Sequence, residues 1–256
     1  MAVTMGVKIP EYRSFGETME KPRMKKPLLI ACLLLFVFLV NAQSPPPQAP
    51  FASPPAVAVQ PPFWNEIAEF KRKDSLHHPP ANAILFVGSS SFRKWTNIQA
   101  DFPGYPIINR GFGGSTLDDV IHYAGDIIYP YRPKQVVIYC GDNDLVQNIS
   151  GKKVYKQFQR LYEMIRKHLG NDVDILYVSI KPSPSRERLM PEMERANDLI
   201  RNFMAQRSHA AFVDVYHLML NAQGHPMDEL FLGDKLHMNE KGYKIWQQAI
   251  LPYLDK

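Results

Sequence analysis

Cysteine is scarce in this sequence, and no apolar run is long enough for an ordinary transmembrane helix. Of the two cysteines, Cys32 lies in the first apolar run and Cys140 ends a much later one. The later part of the chain therefore holds one thiol, which excludes an internal disulfide there, so its hydrophobic core must stabilise it. We expect Cys140 to be a small buried side chain rather than a nucleophile, because free cysteine is usually buried. The run from Leu28 to Val40 has thirteen residues, whereas a membrane span needs about 20.

A large excess of charge of one sign is also missing. The chain has 30 lysines and arginines against 25 acidic residues, and the segment before Ser44 holds six of the former and three of the latter. The remainder is close to neutral, so the basic isoelectric point comes largely from the beginning of the chain. This distribution gives no indication of a nucleic-acid partner.

The beginning of the chain has the organisation of a secretory signal. Lys25 and Lys26 precede the apolar run, and Val40 and Ala42 supply small residues at the −3 and −1 positions of a cleavage site. We therefore assign residues 1–43 to a leader, with residues 1–23 as an upstream extension before a start at Met24. The prediction is an exported protein, periplasmic or extracellular, that contacts a membrane only if the leader is not cleaved.

Residues 44–62 contain eight prolines in nineteen positions. Proline fixes φ and removes backbone donors, so this segment is predicted to be an extended, solvated linker. Residues 63–256 then provide 194 residues, enough for one domain with a sizeable core.

Apolar runs of strand length alternate with helical patterns throughout that domain. The runs predict five strands, at 83–87, 106–109, 136–140, 175–179 and 211–215. The helical patterns cover 63–73, 116–124, 153–169, 190–207 and 239–251. This alternation predicts an α/β fold, in which helices cover both faces of a parallel sheet. Ligands bind such sheets beyond the carboxyl ends of the strands.

Those strand ends carry the residue types that acyl transfer requires. The first three strands lead into Gly88–Ser91, Asn109–Ser115 and Gly141–Asp144, and a late loop contains Asp234–His237. A serine nucleophile needs a base, the base needs a carboxylate to orient it, and the oxyanion needs preset hydrogen-bond donors.

These four stretches, in this order, resemble the four sequence blocks of the SGNH (GDSL-like) hydrolases and together span nearly all of 84–250. The resemblance implies a flavodoxin-like three-layer α/β/α sandwich and an ester-hydrolysing activity without a metal or other cofactor. It assigns the nucleophile to Ser90 and the rest of the triad to Asp234 and His237. It assigns the oxyanion hole to Ser90, Gly114 and Asn143.

One departure from the family is next to the nucleophile. The family usually has Gly-Asp-Ser where this chain has Gly88-Ser89-Ser90. The missing carboxylate is not the triad acid, so the chemistry should survive, although a loss of rate remains open. Because three serines stand in a row, Ser89 and Ser91 are alternatives to Ser90.

Simpler structural roles exist for the same residues. Ser90 and Asp234 could be helix caps, Gly113 and Gly114 turn glycines, and Asn143 a loop residue bonded to its own backbone. The order of the four blocks favours the catalytic interpretation. A basic group after the fourth strand is interpreted as a solvated loop and left out of the site; its members are Lys181, Arg186 and Arg188.

Two other functions remain open on the sequence. Asp142, Asp144 and Asp234 could be ligands of a metal-dependent phosphoesterase, although the first strand end offers no carboxylate. The domain could instead be an inactive, surface-tethered binding module, because Ser89 replaces the usual Asp. The predicted partner is a small-molecule or glycan ester, and its acyl and alcohol parts are undetermined. The aromatic residues Trp95, Tyr105 and Phe112 could stack on a sugar or belong to the core.

Overall fold

In the computed structural model, which describes residues 60–256, five strands form one parallel sheet. The predicted leader, residues 1–43, and residues 44–59 of the predicted linker lie outside the described residues. The strands are β1 (Ile84–Gly88), β2 (Ile107–Gly111), β3 (Gln135–Tyr139), β4 (Asp174–Val178) and β5 (Ala210–Val213). Their order across the sheet is β2-β1-β3-β4-β5, the flavodoxin-like order. The predicted fold class is confirmed.

Helices cover both faces of this sheet. They are α1 (Trp64–Leu76), α2 (Ser90–Arg93), α3 (Ile98–Asp101), α4 (Leu117–Ile127), α5 (Asp142–Val146), α6 (Gly151–Leu169), α7 (Met190–Met204) and α8 (Glu240–Ile250). Leu85 and Val87 of β1 pack into the core formed with α1, α4, α6 and α7. Ile84 and Phe86 pack on the other side, against α2, α3 and α8. Because every β1 residue is buried on one face or the other, the strand is a continuous apolar run.

The observed elements differ from the predicted ones in length and in three short helices. α2, α3 and α5 have four or five residues, too few to show a helical period. β5 ends at Val213 rather than 215, because the N–H groups of Val215 and Tyr216 turn away and donate to Ser179 Oγ. β2 continues to Gly111 through the polar pair Asn109 and Arg110, which an edge strand tolerates. Among residues 60–256, no helix has both the length and the apolar character needed to cross a bilayer.

Candidate active site

Ser90 lies at the carboxyl end of the central strand β1, where the backbone must pass close to β3. Gly88 has φ +142°, and a Cβ there would lie 1.8 Å from the Tyr139 carbonyl oxygen, so only glycine fits. Ser89 and Ser91 are buried, whereas Ser90 is partly exposed at the start of α2. The Ser90 Oγ lies 3.0 Å from His237 Nε2. Of the three serines, Ser90 is thus the one placed against the imidazole.

Asp234 holds His237 through both of its carboxylate oxygens. Its Oδ2 lies 2.6 Å from His237 Nδ1, and its Oδ1 accepts the backbone N–H groups of Leu236 and His237 at 3.0 and 2.9 Å. Lys235 between them adopts φ +55°, which tightens the turn. The spacing of three residues therefore lets one carboxylate fix both the loop and the ring.

The charge of Asp234 is stabilised in place. Burial of the carboxylate alone would raise its pKa, but the hydrogen bonds from the His237 ring and from the backbone of His237 and Leu236 outweigh burial and hold the pKa below its usual range. An ionised Asp234 accepts the Nδ1 proton of His237, which leaves Nε2 free to accept a proton from Ser90.

Gly114 and Asn143 lie close to each other. A Cβ built on Gly114 would be 3.9 Å from Asn143 Nδ2, and no other atom of residues 60–256, apart from the two chain neighbours of Gly114, would lie within 4 Å. Asn143, in the first turn of α5, donates to the carbonyl oxygen of Ser115 at 3.0 Å rather than to its own backbone. Gly113 has a positive φ of 35°, whereas Gly114 does not. The turn-glycine role thus applies to Gly113, and Gly114 is left as open backbone beside an amide donor.

The loop between β2 and α4, residues 112–116, contains Gly113 and Gly114 and is called the glycine loop. Its end is fixed by the helix that follows. Thr116 and Asp119 cap α4 reciprocally through side chain and backbone. Asp144 accepts the Leu117 N–H at 3.0 Å, which ties this loop to the end of β3. Burial raises the pKa of Asp144 to about 7.

The prediction that the basic group after β4 is a solvated loop was wrong for two of its three members. Lys181 is 1% exposed and the Arg186 side chain 14%, while Arg188 is exposed. Arg186 forms an ion pair with Asp142 at 2.8 Å and donates to Asn143 Oδ1 at 2.9 Å. Lys181 Nζ lies 3.9 Å from Asp142, and burial lowers the pKa of this lysine to about 8. The carboxylate of Asp142 is the counter-charge that allows Lys181 and Arg186 to be buried. In the sequence, an acidic residue directly before Asn143 was the one indication that a basic partner lies at the site.

The first helix also reaches the site, which no local pattern indicated. Glu66 of α1 accepts the Gly113 N–H at 3.1 Å and forms an ion pair with Arg93 at 3.0 Å. The Phe63 ring lies against Gly113, where any side chain would collide with it. The glycine loop is therefore held by contacts with α1, and Gly113 and Glu66 are 47 residues apart in the chain.

Other residues raised by the sequence take positions in the core. Cys140 is fully buried, as expected, and burial raises its pKa well above the usual range. Trp95 and Phe112 are also buried, so neither offers a ring to a sugar. Within residues 60–256, no three His, Cys, Asp or Glu side chains are grouped as they would be to hold a metal ion.

Comparison with known proteins agrees with this fold. Residues 79–245 match the model of the GDSL-like lipase/acylhydrolase family. A Streptococcus pneumonia structure, provisionally described as a platelet activating factor, shares 18% identity over 75% of this chain and 93% of its own, with a TM-score of 0.66. A GDSL-like lipase from Bacteroides thetaiotaomicron shares 19% identity over 73% of this chain and 96% of its own, with a TM-score of 0.61. A variant of a Geobacillus acetyl-xylooligosaccharide esterase shares 15% over 68% and 95%, with a TM-score of 0.55. No curated protein sequence matches the chain significantly.

The fold, the strand-end site and these matches define a hydrolase of ester bonds. The chain belongs to the GDSL-like lipase/acylhydrolase family, whose substrates are small-molecule esters. The roles of individual residues stay predictions.

Proposed function

We propose that this chain is an exported serine esterase that cleaves carboxylic esters, with Ser90, His237 and Asp234 as its catalytic triad. The observation that supports this most is the continuous contact from Ser90 Oγ to His237 Nε2, at 3.0 Å, and from His237 Nδ1 to Asp234 Oδ2, at 2.6 Å. A serine with an oriented base is the arrangement that activates a hydroxyl as a nucleophile.

The reaction proceeds in two acyl-transfer steps. Ser90 Oγ bonds to the ester carbonyl carbon while His237 takes the serine proton, and the carbonyl oxygen becomes an oxyanion. The backbone N–H groups of Ser90 and Gly114 and the amide of Asn143 stabilise that oxyanion. His237 then protonates the departing alcohol, which leaves an acyl-serine. Water attacks the acyl group by the same route, and the acid is released with Ser90 restored.

For the substrate, we propose small-molecule or glycan esters, with O-acetyl groups of glycans as the first class to test. Three of the similar structures come from proteins described as acetyl esterases, two of them for acetylated xylan or xylo-oligosaccharide. A secretory leader would place such an enzyme outside the cytoplasm, where these polymers occur. A panel of acetylated sugars and p-nitrophenyl esters of increasing chain length measures both parts of this specificity.

Serine replacements test the mechanism. Ser90→Ala should abolish hydrolysis of p-nitrophenyl acetate and labelling by a fluorophosphonate probe, with unchanged thermal unfolding. Ser89→Ala is the matched control, because the Ser89 hydroxyl is buried and has no hydrogen-bond partner within residues 60–256. Ser91→Ala is a second control. Activity lost in a control but kept in Ser90→Ala would move the nucleophile to that position.

Two outcomes would favour the rival functions. If all three serine variants keep full activity and a chelator abolishes it, the rival metal-dependent phosphoesterase is favoured. If the wild-type protein neither hydrolyses the panel nor reacts with the probe, it is a binding module.

A further inference from the structure

Arg186 lies beside Asn143, a residue of the predicted oxyanion hole. It lies in a 3₁₀ turn, Pro184–Leu189, which follows β4. The turn is anchored to the triad loop, since the Ser185 N–H donates to the Lys235 carbonyl at 3.0 Å. The turn that carries Arg186 is thus attached to the Asp234–His237 loop on one side, and Arg186 itself contacts Asn143 on the other.

The contacts of Asn143 determine which way its amide points. A guanidinium has only donors, so the atom of Asn143 that faces Arg186, at 2.9 Å, must be the oxygen. A backbone carbonyl has only acceptors, so the atom that faces Ser115, at 3.0 Å, must be the nitrogen. With Arg186 on one side and Ser115 on the other, the amide has a single orientation. One N–H of Nδ2 is bonded to Ser115, and the second remains for a ligand beside Gly114.

The position of Arg186 is itself fixed by charge. Its Nη1 pairs with Asp142 at 2.8 Å, and Asp142 is almost fully buried. A buried charge must be paired, so this charge pair, in which Nη1 makes no hydrogen bond among residues 60–256, keeps the guanidinium beside the neighbouring amide. The positive charge of the guanidinium, next to Asn143 Oδ1, also polarises the amide and makes its Nδ2–H a stronger hydrogen-bond donor.

We propose that Arg186 is a positioning residue for the oxyanion hole, which locks the Asn143 amide with its N–H toward the substrate carbonyl oxygen. This inference rests on the proposed serine esterase function and extends it. An oxyanion donor acts mainly in the transition state. Loss of Arg186 should therefore lower kcat and leave KM nearly unchanged.

The test is a double-mutant cycle with p-nitrophenyl acetate. Asn143→Ala should lower kcat by about 10²–10³-fold. Arg186→Met, which keeps the length of the side chain, should lower kcat by roughly tenfold or more, with KM within about twofold. Arg186→Lys, which keeps a donor and the charge, should recover part of that loss. The combined Arg186→Met/Asn143→Ala variant should be no worse than Asn143→Ala alone, because Arg186 acts through the amide.

The control and the folding check use neighbouring residues. Arg188→Ala, exposed on the same turn, should keep the wild-type kcat. Because Arg186→Met leaves Asp142 buried without its closest partner, thermal unfolding is measured for each variant. If Arg186→Met does not fold, Arg186→Ala takes its place in the cycle, because the shorter side chain admits water to Asp142 while Lys181 still pairs with that carboxylate.

The failures are distinguishable. Wild-type kcat in Arg186→Met, or losses that multiply with those of Asn143→Ala, would overturn the positioning role while Ser90→Ala stays inactive. Full activity in Ser90→Ala would instead overturn the proposed function.

Discussion

Replacement of Asp234 by Asn should leave the loop folded and put the wrong tautomer of His237 against the serine. Asp234 Oδ1 accepts two backbone N–H groups, from Leu236 and His237. Asn has one side-chain oxygen, and it must take the Oδ1 position, because an NH₂ group at that position would face the two backbone N–H donors. The NH₂ group then faces His237 Nδ1, which must act as an acceptor. The ring proton moves to Nε2, which donates toward Ser90 and can no longer take its proton.

The size of the effect follows from this change. In chymotrypsin-type proteases, the same exchange in the triad lowers kcat by about 10⁴, which corresponds to about 5 kcal/mol of barrier. The Asp234 side chain is 45% exposed, so water can partly replace it, and we expect a loss of roughly 10³–10⁴. His237→Ala should fall further, to the level of Ser90→Ala, because the imidazole moves the proton in both steps.

The assay is kcat for p-nitrophenyl acetate together with thermal unfolding over a range of pH. Both backbone hydrogen bonds survive, so the variant should fold, with a melting temperature at pH 7 below that of the wild type because it lacks the ionised carboxylate. The fold depresses the pKa of Asp234, so its ionisation stabilises the wild type above the unfolded pKa of about 4, and that contribution fades as the pH falls below it. The difference in melting temperature between the wild type and Asp234→Asn should therefore shrink as the pH falls below about 4. A variant that keeps more than about a tenth of the wild-type kcat would refute the tautomer argument.

The remaining predictions concern stability, the oxyanion hole and the leader. Asp144→Asn should raise the midpoint of urea unfolding at pH 8 but not at pH 4. The wild-type Asp144 carboxyl has a pKa raised to about 7 in the folded protein. The wild type therefore loses stability as the pH rises from about 4 through 7, by up to about 4 kcal/mol, and the neutral Asn side chain does not. An equal rise at both pH values would contradict this. Gly114→Ala should fold normally and lose kcat, because its methyl meets only Asn143 Nδ2, at 3.9 Å, whereas Gly88→Ala should not fold, with a methyl 1.8 Å from Tyr139. A wild-type kcat in Gly114→Ala would argue against its role. Mass spectrometry of the exported protein should give an N-terminus near Gln43, and an intact residue 1 would contradict the leader.

The strands and the order of the site blocks were predictable because both depend on local sequence. A strand covered on both faces must be apolar throughout, and β1 and β3 show this directly. Glycine at 88 and 141, where φ is positive, marks where these strands end. The blocks then follow from the rule that parallel strands present their carboxyl ends at one edge.

The supports of the site were not predictable, because they depend on contacts between distant parts of the chain. Lys181 and Arg186 have the sequence appearance of solvated charges, and only the fold brings Asp142 to them across about 40 residues. α2 and α5 are single turns stabilised by packing rather than by a periodic pattern, so Ser90 and Asn143 looked like loop residues.

The contact of α1 with the glycine loop changes where the functional unit begins. The family match starts at residue 79, after α1 has ended. Yet Glu66 and Phe63 hold Gly113, one residue before the predicted oxyanion glycine. A chimaera joined at the edge of the family match would inherit the predicted triad of Ser90, Asp234 and His237 but would lose the contacts of α1 with Gly113. We therefore expect full activity to require a chain that starts near Pro61, upstream of the residues that the family shares.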